Sequence, residues 1–374
     1  MRLQCLFLTI LTIASAEVLK LQLGKNTVPR PVREASGGYE DKPYELYETD
    51  FYTIPIEFGS PAQTLHLALN LGSNQFWVLD KNNSGNVATN GPTFDTSRSN
   101  SLKLNESELY FNFLGNVNVN GTRAQEDINL SSTTFKAQNV GVVRKATGEG
   151  TLAVSGVLGV GPTINGTDES GDSWEPIVHQ IARKQSNGKF TVWLNSNEDS
   201  DVKGQLTFAD HDGEHCEKEV VQAGTLKEHG RFSQWTFAIS RYGAGKYHYY
   251  REGNVAIQNT DKIIKLTEYL YHSMSGIYRL SNDLKLNALT AYCREVEQFA
   301  PFSFTINGKD FEFPAQIMFK PLEQNKDLCR FLGESAESGF ATEAFQLTQD
   351  FFKYVCVTYD VKNMTLAFSK AIAK

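Results

Sequence analysis

Two short strings in this chain end in side chains that can hold a water molecule or a peptide group but cannot take its proton. Asn70-Leu71-Gly72-Ser73 is one; Asn259-Thr260-Asp261, preceded by Val255-Ala256-Ile257-Gln258, is the other. An amide does not ionise near any working pH, so Asn70 and Asn259 could position a group without serving as its base. Asp261 offers a carboxylate, yet one displaced acid does not make a cooperating pair. Ser73 would need a positioned histidine and acid to become a nucleophile, and the sequence places neither beside it. Asp210-His211-Asp212-Gly213-Glu214-His215-Cys216 holds metal-capable side chains, but its histidines sit four apart in a polar turn without helical context. That reads as a solvated loop, so no metal and no cofactor are expected. Tyr247-His248-Tyr249-Tyr250 reads as a strand packing its rings before it reads as a binding face.

The elements that must position these strings are mostly strands. The chain has 374 residues, enough for two lobes with sizeable cores. Its 24 Phe and 15 Tyr, with frequent Gly and Asn turns and few long helical periods, predict mostly β structure. Pro176-Ile177-Val178-His179-Gln180-Ile181-Ala182 predicts a short helix, with proline in its first turn. The net charge of −7, without a basic run, argues against nucleic-acid binding. At the N-terminus, Arg2, the mostly apolar stretch from Leu3 to Ile13 and Ala14-Ser15-Ala16 form a secretory address over residues 1–16. No segment is long enough to span a bilayer. Sequons at Asn82, Asn105, Asn120, Asn129, Asn165 and Asn363 suit a glycosylated protein that is secreted or held in the lumen of the secretory and endolysosomal route. Five cysteines are present, and Cys5 leaves with the address, so four enter an oxidising compartment.

Order and spacing along the chain carry a resemblance. Phe51-Tyr52-Thr53-Ile54-Pro55-Ile56-Glu57-Phe58-Gly59-Ser60-Pro61-Ala62-Gln63, then Asn70-Leu71-Gly72-Ser73, then Phe76-Trp77-Val78, resembles the entry to the pepsin-like aspartic peptidase family. Ser155-Gly156-Val157-Leu158-Gly159-Val160-Gly161 is similar to the segment that backs the family's first motif. The closing stretch from Tyr354 is similar to its last hairpin, although Leu347-Thr348-Gln349 replaces the Leu-Gly-Asp before it. The resemblance implies a mostly β, bilobal pepsin-like acid protease fold, with two β-rich lobes, a central cleft and an interlobe sheet. It implies a propeptide-like segment at 17–48, an N-terminal lobe at 49–212 and a C-terminal lobe at 213–374.

The same resemblance puts Asn70 and Asn259 where the family carries its two catalytic aspartates. Leu71 then lacks the bracing hydroxyl of the family's threonine; Thr260 is kept, and Asp261 replaces a glycine. Phe113 falls at the tyrosine of the flap, and Trp77 beside the cleft. A family disulfide enclosing a hairpin with a similar Thr-Ile-Asn-Gly segment implies Cys293–Cys329. Cys216 and Cys356 remain, either as a second bridge or as two free thiols. Glu17 to Leu23 alternates like the family's first prosegment strand, and residues 17–48 either stay attached as a structural strand or form a flexible terminus.

These readings favour a secreted, monomeric pseudo-protease that binds a peptide or protein partner. Two alternatives stand beside it. One is an active or weakly active acidic endopeptidase, which requires that the placement of Asn259 or the role of Asn70 be wrong. The other is a secreted storage, decoy or surface-interaction protein.

Overall fold

The computed structural model describes residues 18–30, 47–113, 117–130, 133–148, 151–162, 175–227, 234–250, 252–258, 263–283, 288–322, 325–335 and 343–372. The secretory address, Asn165 and the string Asn259-Thr260-Asp261 lie outside them. Among the described residues no helix is long and apolar enough to cross a membrane.

A thirteen-stranded sheet runs through the molecule, and two four-stranded sheets and a five-stranded sheet are built from residues beyond Trp235. The result is the mostly β, bilobal fold expected from the sequence. The alternation of the long hairpin strands explains their placement: Val117–Leu130 buries Val117, Val119, Ala124, Glu126, Ile128 and Leu130, while Asn120 and Gln125 face solvent. Phe76–Leu79 behaves differently, with all four residues buried. It is an interior strand, and its two faces pack into different cores, Phe76 and Val78 into one and Trp77 and Leu79 into the other, so neither face meets water.

Lys20–Arg30 is an interior strand of the large sheet. Lys20–Leu23 pairs with Gly204–Thr207, and Gly24–Arg30 pairs with Tyr47–Thr53. Leu21 and Leu23 enter the main core. Lys189–Leu194 joins this sheet to the closing hairpin Val355–Asp360 and Thr365–Lys370. Both disulfides are formed: Cys293–Cys329, and Cys216–Cys356 across 140 residues of chain. The second packs against Trp193.

Each half of the chain repeats one arrangement. In the first, Gln63–Asn70 lies parallel to Gly156–Gly159, which lies antiparallel to Phe76–Leu79. In the second, Gly253–Ile257 lies parallel to Glu343–Leu347, which lies antiparallel to Ile264–Leu266. In both, the first and third strands flank the middle one.

Candidate functional site

Asn70 closes the first of these strands and begins its loop. Its side chain is buried, and its Oδ1 accepts the backbone N–H of Gly72 at 3.0 Å. That bond orients the amide and leaves Nδ2 as its donor end. Its carbonyl accepts the N–H of Val160 at 2.9 Å, and the Val160 carbonyl accepts the indole N–H of Trp235 at 2.8 Å. The first loop is thereby tied to the strand that opens the second half. Gly159 permits the close approach behind it, since a Cβ there would stand 2.4 Å from the Gln75 carbonyl oxygen. The Oγ of Ser73 caps the turn by accepting the N–H of Gln75 at 3.0 Å. Leu71 is fully buried in the main core.

The ladders fix the counterpart of Asn70 in the second half. Leu69 pairs with Leu158 and Asn70 with Gly159, and Ile257 pairs with Leu347; with Leu158 and Leu347 aligned as the family resemblance aligns them, Gln258 corresponds to Asn70. The Gln258 N–H donates to the Leu347 carbonyl at 2.8 Å. A Cβ on Gly72 would lie 3.1 Å from Cγ of Gln258 and 3.4 Å from the Ile257 carbonyl. The two loops therefore meet at Gly72 and Gln258.

This corrects the sequence assignment of Asn259 to the second position. The signal was available: three apolar residues, Leu67-Ala68-Leu69, precede Asn70, and three, Val255-Ala256-Ile257, precede Gln258. Counting onward, Asn259 matches Leu71, Thr260 matches Gly72 and Asp261 matches Ser73. Both matched positions still carry amides.

The hairpin that the sequence reading takes as the flap is Lys103–Phe113 against Val117–Leu130, with Phe113 paired to Val117 next to its tip. Asn120 lies on its returning strand, opposite Tyr110, and faces solvent. Trp77 is not a cleft residue. It is fully buried in a second core cluster with Leu79, Val143 and Val157, as the interior position of its strand requires.

The stretch from Asp210 to Cys216 is a structural network, and among the described residues no cluster could hold a metal. Asp212 is buried and accepts from Gln205 Nε2 at 3.1 Å, Thr207 Oγ1 at 3.0 Å and the N–H of Glu214 at 3.1 Å. His215 Nδ1 lies 3.0 Å from the same carboxylate, and its ring stacks on Trp193 with centroids 3.9 Å apart. Burial pushes the Asp212 carboxyl up, but the bond and charge of His215 and the neighbouring donors outweigh it and hold the group below the usual range. His179, buried on the helix Ile177–Gln185, is pushed down to about 4 by burial. In the tyrosine run, Tyr249 packs on Tyr242 and Tyr269, while Tyr247 and Tyr250 remain exposed.

Comparison with known proteins places this geometry. The model of the eukaryotic aspartyl protease family matches residues 51–371. Aspartic protease 1 of Caenorhabditis elegans is 24% identical over 345 residues, covering 89% of this chain and 85% of that protein. Mucorpepsin of Rhizomucor pusillus is 26% identical over 210 residues, covering 52% of this chain and 48% of that protein. The crystal structure of the aspartic proteinase from Irpex lacteus superposes with a TM-score of 0.71 at 16% identity, covering 93% of this chain and 98% of that one.

Proposed function

We propose that this chain, which belongs to the eukaryotic aspartyl protease family, is a secreted non-peptidase member whose cleft holds a peptide or protein partner without cutting it. The observation that carries this reading is the correspondence of Asn70 and Gln258 across loops that meet at Gly72. Peptidases of this family work through two carboxylates that share a proton, one drawing a proton from water while the other donates toward the scissile carbonyl. Asn70 and Gln258 can do neither. General acid–base help is worth about 10²–10⁴-fold, so loss of both partners removes most of the activity. Leu71 also supplies no hydroxyl to brace the loops.

Binding survives this loss on physical grounds. An extended peptide can add to strand edges through main-chain hydrogen bonds that need no acid or base. Asn70 presents an amide donor end, which suits a peptide carbonyl and carries no charge. Two disulfides and the N-terminal address over residues 1–16 support the secretory route.

The test is incubation of the folded, secreted protein with a diverse peptide pool from acid to neutral pH, with products read by mass spectrometry. No cleavage together with retained peptides is the expected result. Cleavage blocked by a statine-type inhibitor would overturn the reading.

A further inference from the structure

The closing hairpin lines a groove of about 690 Å³, within the range of about 300–1,000 Å³ that suits a compact ligand. Its floor includes Thr358, Asp360 and Thr365 of the hairpin, and its rim includes Lys189, Lys218 and Val220. Two lysines and two aspartates, Asp210 and Asp360, line it together. Opposite charges at equal number favour neither an anion nor a cation; they favour a neutral ligand rich in hydroxyls. Val220, 40% exposed, adds an apolar patch of the kind that a sugar ring covers. His211 is in the wall, and both its buried ring nitrogens lack a partner among the described residues.

Asn363 stands on the same rim and begins the sequon Asn363-Met364-Thr365. It is exposed in the turn between Val355–Asp360 and Thr365–Lys370. The Asp360 carboxylate fixes the turn by accepting the N–H groups of Lys362 at 3.0 Å and Asn363 at 2.8 Å. It also accepts Nδ2 of Asn363 at 2.8 Å. The nitrogen that would carry a sugar is thus held against a residue of the groove floor.

We propose that this groove seats the first sugars of an N-linked glycan on Asn363. The proposal rests on the secretory route proposed above and is independent of what the amide loops do. Hydroxyls of the sugars take the free ends of Lys189, Lys218 and Gln222, and Val220 meets a ring face. The seated glycan joins the hairpin turn to the 210–222 segment.

The test begins with glycopeptide mass spectrometry of the secreted protein, followed by timed release of each glycan by peptide-N-glycosidase under native conditions. The Asn363 glycan is expected to leave at least about tenfold more slowly than those at Asn82 or Asn105, and as fast as they do after denaturation. Val220→Asp and Lys218→Glu, both on exposed positions, should speed its release. They should lower Tm by about 2–4 °C in the glycosylated protein and leave the enzymatically deglycosylated protein unmoved. Other sequons occupied with Asn363 bare would overturn this proposal alone; all sequons bare would overturn the secretory reading with it. Equal release rates, or equal Tm shifts with and without the glycan, would also overturn it. Binding of free chitobiose to Asn363→Gln, with Asn363 bare in the parent protein, would assign the groove to a separate saccharide and likewise reject the chain's own glycan.

Discussion

Asn70 closes the strand Gln63–Asn70, Gln258 follows the strand Gly253–Ile257, and a Cβ on Gly72 would stand 3.1 Å from Cγ of Gln258. A side chain at Gly72 would require Gln258 to give way by a few tenths of an ångström. The two residues that follow the matched strand positions, Asn70 and Gln258, both carry neutral amides. Asn70 is further held by its own loop through the Gly72 N–H, so its orientation does not depend on a partner across the cleft.

Restoring both carboxylates tests this pairing directly. Asn70→Asp with Gln258→Asp should yield at most trace cleavage sensitive to a statine-type inhibitor. Leu71 still offers no hydroxyl, and Thr260 stands where the first loop has Gly72. Asn70→Asp with Asn259→Asp should yield none, because Asn259 is one position past the counterpart of Asn70. Activity in the second pair and not in the first would show that the ladder correspondence fails to identify the working position.

Much of this was legible in the chain. Gly, Pro, Gln and Trp around the first loop anchor its reading, as does the closing stretch from Tyr354. The second position was harder to place, even though three apolar residues precede Gln258 as they precede Asn70, because the string Asn259-Thr260 is chemically closer to an acid-threonine motif than Gln258-Asn259 is. Backbone register decides that choice, and register is set by pairing with Leu347, 90 residues away. Trp77 was misplaced for a similar reason: alternation suggests one open face, but strands on both sides and cover above and below bury all of Phe76–Leu79. The histidines of the 210–216 stretch looked solvated, whereas Asp212 draws His215 inside.

His179 makes the fold sensitive to mild acid. Its folded pKa, about 4, lies below the ordinary 6.5, so the unfolded chain binds the extra proton first. Stability is therefore full above about pH 6.5 and falls as pH drops toward about 4. At about 1.4 kcal/mol per unit, the loss across that window is about 3 kcal/mol. Urea unfolding at pH 7.5 and pH 4.5 should show it, and His179→Gln should flatten the dependence between those values. An unchanged slope in the variant would assign the acid sensitivity to other groups.

Asp212 is expected to be a stability residue with no role in metal binding. Removing it leaves Gln205, Thr207 and His215 without their common acceptor, so Asp212→Ala should cost about 3 kcal/mol. Its depressed pKa places its contribution above the usual carboxylate range, and acid removes that contribution only as pH falls through the folded value. Elemental analysis of the purified protein should find no stoichiometric zinc, calcium or transition metal. A bound metal lost in Asp212→Ala would reverse the assignment.

The N-terminal strand is expected to stay on the working protein. Lys20–Arg30 supplies the ladder bonds between Gly204–Thr207 and Tyr47–Thr53, so its departure would leave two interior strands with open edges. Lys25 pins it: its Nζ lies 3.1 Å from Asp50 and 2.7 Å from Glu198, and Glu198 also binds Lys353 at 2.6 Å. Asp50 is buried and keeps a bond from Thr27 Oγ1 at 2.7 Å, which softens the loss of the lysine. Lys25→Met should cost about 2–3 kcal/mol, less than a fully buried pair broken on one side. N-terminal sequencing of the secreted protein should start near Glu17, and limited acid treatment should not shorten it. A mature chain beginning near Tyr47, folded and as stable as the longer form, would show that the strand is a removable prosegment.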